Sequence, residues 1–199
     1  MTDLRLVLNV GGNHRDIELP AAFDGWQQHL LDIDPSGKPD ILADARELKE
    51  LEPGTYDAIY CSHNLEHYYH HEVPVVLEGF QHVLKPDGFA DIRVPDIPGV
   101  MAEAIKRGLD IEDELYESPV GSITVRDVLY GHGGIIARSG EDFFAHKTGF
   151  SRESLLRLLK KSGFAHVFGG TANLEIRALA FRKQPDAWQR GLYGLPQSG

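Results

Sequence analysis

The sequence predicts an α/β fold, a mostly parallel sheet that ends in an antiparallel hairpin. Three observations carry that reading. Short apolar runs bounded by Gly, Pro and Asp recur along the chain, amphipathic helical stretches fall between them, and the last two runs lie close together across a short polar loop. Strands separated by helices build βαβ units with right-handed crossovers.

Residues 4–10 (LRLVLNV) read as a buried strand stopped by Gly11-Gly12. A second strand at 28–33 (QHLLDI) runs into Asp34-Pro35, and 40–42 form a weak third. The run at 56–62 (YDAIYCS) follows the Pro53-Gly54 turn as a fourth strand, and 89–94 (FADIRV) follows Lys85-Pro86-Asp87-Gly88 as a fifth. Between these two, 73–84 sets Val76, Leu77, Phe80, Val83 and Leu84 on one helical face, with Pro74 in its first turn. Ser151 is the expected N-cap of a helix carrying Leu155, Leu156, Leu158 and Leu159 and ending at Gly163. The hairpin comprises 164–168 and 174–181, with Gly169-Gly170 and Asn173 in its connection. The reading is one domain over 1–183, then a loosely ordered tail at 184–199.

The stretch 95–147 exceeds what such a fold needs. It holds Pro95, Pro98 and Pro119, a helix expected at 99–108, an acidic run (DIEDELYE) and a Gly- and aromatic-rich segment. Insertions of this kind form lids or substrate walls; an ordinary dimer surface is the plainer alternative, so a homodimer stays open.

Thirty acidic against twenty basic residues give a net charge of −10, which disfavours nucleic acid, whose binding runs on clustered cations, and favours a small-molecule substrate. The single cysteine, Cys61, rules out an internal disulfide and suits a reducing compartment. No apolar run approaches the ~18 residues of a membrane helix. Asp3 and Arg5 stand where a secretory peptide needs an apolar core, so the expected location is cytoplasmic.

The first strand ends in a glycine turn, where a ligand can approach backbone N–H groups. About 20 residues further on, Asp32 ends the second strand, the place where a carboxylate accepts from both ribose hydroxyls. Asp44 follows the third strand, where it can accept from an adenine amino group. The plain alternative for either acid is an N-cap on the next helix.

In this order the segments LNVGGN, LDIDP, ADARELKELEPGTYDAIYCSHNLEHY and VLEGFQHVLKPDGFADIRVPD resemble class I S-adenosylmethionine-dependent methyltransferases, in particular the small bacterial group called type 11. The resemblance covers about residues 4–94, with weaker support over 148–183. It implies a Rossmann-like methyltransferase domain that binds S-adenosylmethionine through Gly11, Gly12, Asn13, Asp32, Ile33, Asp44 and Ala45. The backbone at Cys61 and Ser62 lies on its methionine side. Two departures stand out. Asn9, Gly11, Asn13 and Arg15 occupy the positions of the usual acid-x-Gly-x-Gly-x-Gly, although Asn tolerates a left-handed backbone. The segment between turn and second strand is also short for the usual first helix.

Methyl transfer needs an aligned nucleophile and, for an alcohol, phenol or protonated amine, a base. His63, His67 and His146 are the candidates for base or substrate orienter; the plain alternative is a histidine packing a helix start or bonding the backbone. His70 and His71 read as solvated surface. Phe143, Phe144 and Tyr130 are candidate apolar walls, or core. Cys61 reads as strand packing rather than a nucleophile. No metal ligand is assigned, although His63-Asn-Leu-Glu66-His67 matches the H-x-x-E-H pattern of zinc hydrolases, with Glu141 as a conceivable third ligand. That hydrolase is one alternative function. A catalytically silent cofactor- or partner-binding relative is another, and a nicotinamide dehydrogenase is more distant.

Overall fold

Alternation along the strands sorts the apolar side chains onto two faces of one sheet. In the computed structural model, which describes residues 4–118 and 121–195, the order is β3-β2-β1-β4-β5-β9-β8, with β1 (Leu6–Val10), β2 (Gln27–Asp32), β3 (Ile41–Leu42), β4 (Tyr56–Ser62), β5 (Leu84–Pro95), β8 (His166–Ala172) and β9 (Glu175–Phe181). The first five pair in parallel, and β9 inserts antiparallel between β5 and β8. The expected architecture is therefore present, and β5 is longer than its apolar run because Leu84 pairs with Tyr56 and the Lys85–Gly88 turn bulges out before pairing resumes at Phe89.

The first face carries the main core. Leu8, Val10, Ile59, Cys61, Ala90, Ile92, Ala178 and Ala180 point there and are buried under α1 (Val73–Val83), α5 (Arg152–Lys161) and a 3-10 turn at Ala45–Glu50. Val73, Val76, Leu77, Phe80 and Val83 are the buried stripe of α1, at the spacing the sequence shows. Ser151 caps α5 in a reciprocal capping box with Ser154.

The second face has a thinner cover. Sixteen residues link β1 to β2 with only a 3-10 turn at Ala21–Phe23, so the first crossover helix is absent rather than merely shortened. Aromatic rings take its place. Phe23 packs on Trp26, Tyr60 and Phe89, and Phe89 stacks with Phe181. The tail adds a correction. Its described part forms α6 (Ala187–Tyr193), capped by Asp186, with Trp188 stacked on Trp26 and Tyr193 edge-on to Phe89. The sequence pattern missed this helix because its apolar contacts are two aromatics and a leucine spread among Gly, Gln and Arg. Residues 196–199 lie outside the described residues.

The hairpin also closes differently from expectation. Gly169 and Gly170 are within β8, and the turn is Asn173-Leu174, both left-handed (φ 52° and 62°), the pattern of a two-residue type I′ turn. In the 95–147 insertion, α2 (Ile97–Arg107), a hairpin of β6 (Glu114–Ser118) and β7 (Gly121–Thr124), and α3 (Val125–Tyr130) build a small core of Val100, Leu115, Ile123, Val125 and Val128. Pro119 lies outside the described residues. After α4 (Gly133–Ser139) the chain returns to the sheet, where Lys147 and Thr148 donate their N–H groups to the Glu66 carbonyl.

The thin layer holds a buried carboxylate. Asp91 is fully buried and accepts twice from Arg177 (Nε 3.0 Å, Nη2 2.6 Å), whose guanidinium lies over Tyr193. Removing the arginine strands a buried carboxylate, whereas removing the acid leaves a guanidinium with a route to solvent. Arg177→Ala is expected to cost about 3–5 kcal/mol and Asp91→Ala about 1–3 kcal/mol in urea unfolding. An equal or reversed ranking would contradict this account.

Candidate active site

The loops after β1, β2 and β4 meet at the C-terminal edge of the parallel strands, where open α/β sheets place ligands. Gly11 turns there with φ 70° and donates to the Leu31 carbonyl. A Cβ on Gly11 would stand 2.1 Å from the Asn64 amide, so glycine lets the strand-four loop close over the turn. Asn13 adopts the left-handed conformation (φ 61°), and its N–H donates to Asp32 Oδ2 at 2.8 Å, while Asp34 N–H donates to Oδ1 at 2.9 Å. Each carboxylate oxygen keeps a lone pair, in a side chain 8% exposed.

A cavity of about 260 Å³ opens at this edge, lined by Gly11, Asn13, Asp32, Ile33, His63, Asn64, His67, His132, Phe143, Phe144 and His146 among others. It gathers seven of the expected site residues. A smaller one of about 130 Å³ adjoins it and shares Ile33, Asn64, His67 and Phe143. Asp44 lies there, but it N-caps the 3-10 turn through Arg46 N–H and is ion-paired to the Arg46 guanidinium, which also reaches Glu72. The capping alternative is thus realised, and Ala45 behind it is buried. Gly12, expected in the glycine turn, and Cys61 and Ser62, expected on the methionine side, are not among the residues that line these two cavities. Cys61 packs in the main core, where burial and the nearby Glu66 charge push its thiol well up. Tyr130 is 60% exposed and forms no wall, unlike Phe143 and Phe144.

The histidines separate by partner. After β4 the chain makes a 3-10 turn at Leu65–His67, not an α-helix, so His63 and His67 do not share a helical face. His63 has a left-handed backbone (φ 50°); its Nε2 lies 3.0 Å from Glu175 Oε2 and its Nδ1 3.3 Å from Glu66 Oε1. Burial opposes its charge, but contacts with the two carboxylates outweigh it and raise its pKa to about 10. It is therefore a fixed cation near neutral pH rather than a base. His67 and His146 meet ring to ring, with centroids 4.9 Å apart. His67 Nδ1 bonds the Ala145 carbonyl (3.2 Å) and His146 Nδ1 bonds the Val128 carbonyl (2.8 Å). Burial, above all, keeps the His146 pKa below its ordinary value. His70 and His71 are exposed, as read.

Beneath them Glu66 is 1% exposed, and neither carboxylate oxygen receives a hydrogen bond. Burial raises its pKa; the proximity of His63, His67 and His146 more than reverses this and leaves it below the carboxylate range. Glu141 lies in a separate exposed groove with Arg138 and Ser139, so the zinc-hydrolase ligand set does not assemble. Sequence reasoning missed His132 and Asn64. His132 lies in the insertion, far from the motif, and its Nδ1 is buried without a partner. Asn64 sits inside the motif, but only the fold presses it against Gly11.

His63, His132 and His146 also line a second cavity, of about 610 Å³, with Tyr116, Ile123, Val128, Leu174 and Glu175. Its walls come from the insertion and the β8–β9 turn. The two cavities therefore share one histidine-lined partition.

Comparison with known proteins agrees with this geometry. A family model described as a methyltransferase domain matches residues 20–91. Among solved structures, a SAM-dependent methyltransferase from Archaeoglobus fulgidus is similar, with TM-score 0.57 and 16% identity, covering 90% of this chain and 86% of that one. SAM-dependent methyltransferases from Methanosarcina mazei give TM-score 0.57 and 13% identity over 92% and 94% of the two chains. The 1,6-didemethyltoxoflavin-N1-methyltransferase of Burkholderia thailandensis, determined with S-adenosylhomocysteine, gives TM-score 0.51 and 16% identity over 91% and 72%. No curated protein matches. The family match over residues 20–91 and the likeness to these solved structures agree with the strand order in giving the chain a methyltransferase-like α/β fold.

Proposed function

We propose that the protein methylates a small molecule held in the 610 Å³ cavity, with S-adenosylmethionine in the two smaller cavities. The single observation that carries this is the shared partition. Among the described residues, the cavity that includes Asp32 and the Gly11 turn shares His63, His132 and His146 with a larger, separately walled cavity.

The residues fit the cofactor. Asp32 offers two pre-oriented oxygens to a ribose, Ile33 and Phe143 flank both small cavities, and the buried Asn9 Oδ1, without a partner, lies against Gly12. S-adenosylmethionine, when bound, supplies an electrophilic methyl group on a sulfonium. The chain's own part is to hold the acceptor in line and keep water away. His132 has hydrogen-bond capacity to spare at the partition and is assigned the acceptor's proton at Nδ1. His146, locked through Nδ1, orients the acceptor, and His67, locked in the same way, packs against its ring from the cofactor side. The His63 cation sets the local charge between Glu66 and Glu175. The apolar share of the larger cavity, Ile123, Val128 and Leu174, supports an acceptor with an apolar body.

Titration calorimetry with S-adenosylmethionine tests the reading. Wild type is expected to bind, and Asp32→Ala to bind at least tenfold more weakly, about 1.4 kcal/mol. Wild type that fails to bind overturns the proposal. Gly11→Ala puts a Cβ into Asn64 at a left-handed position, so it is expected to weaken binding at least as much, with urea unfolding as the control for folding.

A further inference from the structure

We propose that Glu66, His67 and His146 form a binding site for one divalent transition-metal ion beside the cavity that includes Asp32. The ligand atoms of the three lie within 4.8 Å of one another. Around a tetrahedral zinc ion they would stand roughly 3.4 Å apart, so each side chain closes by about 1 Å or less. Three further features of these residues point to a cation.

The first is the tautomers. A carbonyl can only accept, so the bonds to Ala145 and Val128 put the proton of each ring on Nδ1 and leave Nε2 as a lone pair. Metal-binding histidines are held in this way by an outer acceptor. The second is Glu66. A carboxylate 1% exposed with no hydrogen bond to either oxygen is costly unless a cation faces it. His63 is near one oxygen at 3.3 Å but is shared with Glu175. The third is construction. Lys147 and Thr148 donate to the Glu66 carbonyl, and this ties the segment of the insertion that bears His146 to the turn that bears Glu66 and His67. Two imidazoles and one carboxylate suit zinc, iron or cobalt rather than magnesium or calcium.

This ligand set differs from that of the zinc hydrolase. His63 and Glu141 are not in it, and His146 comes from a distant segment. In the methyl-transfer reading, on which this role rests, His146 belongs both to this ligand set and to the wall of the larger cavity, which places the ion beside the acceptor. The acceptor class is then a small molecule whose oxygen or nitrogen lone pair can bind the ion.

The test uses full-length protein stripped with a chelator, dialysed and titrated with zinc chloride and, separately, cobalt chloride. The expected result is one ion per chain with micromolar or tighter affinity, and cobalt absorption bands of a four- or five-coordinate site. His146→Gln and Glu66→Gln should each weaken binding at least tenfold and erase the bands, whereas the exposed pair His70→Ala/His71→Ala should keep them. Circular dichroism confirms folding; if a variant fails to fold, the wild-type cobalt spectrum and stoichiometry decide. Absence of a one-to-one site in wild type, or binding unchanged in both ligand variants, overturns the proposal. S-adenosylmethionine binding by the metal-free protein is measured in parallel. Its loss counts against the methyl-transfer reading alone, and its retention without metal binding counts against the metal site alone.

Discussion

A carboxylate without hydrogen bonds, sealed 1% exposed beneath three imidazoles, is the constraint around which the active edge is arranged. Glu66 cannot sit there as an anion unless positive charge or a cation faces it. Its side chain draws His63 from the same loop and His146 from the end of the insertion, while its carbonyl takes the N–H groups of Lys147 and Thr148. A single residue thus joins the strand-four loop to the insertion, and the partition between the cavities is a consequence of that joint.

The second organising feature is what the sheet lacks. Without a helix between β1 and β2, no helix N-terminus points at the ligand edge there, and the glycine turn needs other support. Asp32 provides it from the neighbouring strand by holding the Asn13 and Asp34 N–H groups. Gly37 lets the following turn press against the Asn13 carbonyl, where a Cβ would overlap it. The same absence explains the aromatic layer. Phe23, Trp26 and Tyr193 cover strand residues that a helix would otherwise bury, and the buried Asp91–Arg177 pair is satisfied within that layer. The missing helix therefore moves stabilisation into rings and moves support of the glycine turn into a carboxylate.

Legibility of the site followed the range of the interactions. Gly11, Asn13 and Asp32 were readable because strand ends and turn conformations are local properties. Asp44 was readable only as two alternatives, and Arg46 two residues away turned it into a cap and ion pair. Cys61 and Ser62 end β4 outside the cavity lining, because the left-handed backbone at His63 ends the strand and Asn64 lines the cavity instead. His132 and Glu175 were not found, since their approach to the site depends on how the insertion and the β8–β9 turn fold back over the edge.

The sequence by itself determined the sheet, its mostly parallel order with a closing hairpin, the buried stripes of α1 and α5, and the glycine turn and acidic strand end at the ligand edge. These depend on apolar periodicity, on turn residues and on motif order, all of which are written over short stretches of chain. Only the tertiary structure decided that the first helix is missing, that the tail is a helix packed on the second face, and which histidines meet. The reason is distance along the chain. His67 and His146 are brought together by hydrogen bonds from the insertion to Glu66, and no local pattern records a contact made by burial across the fold.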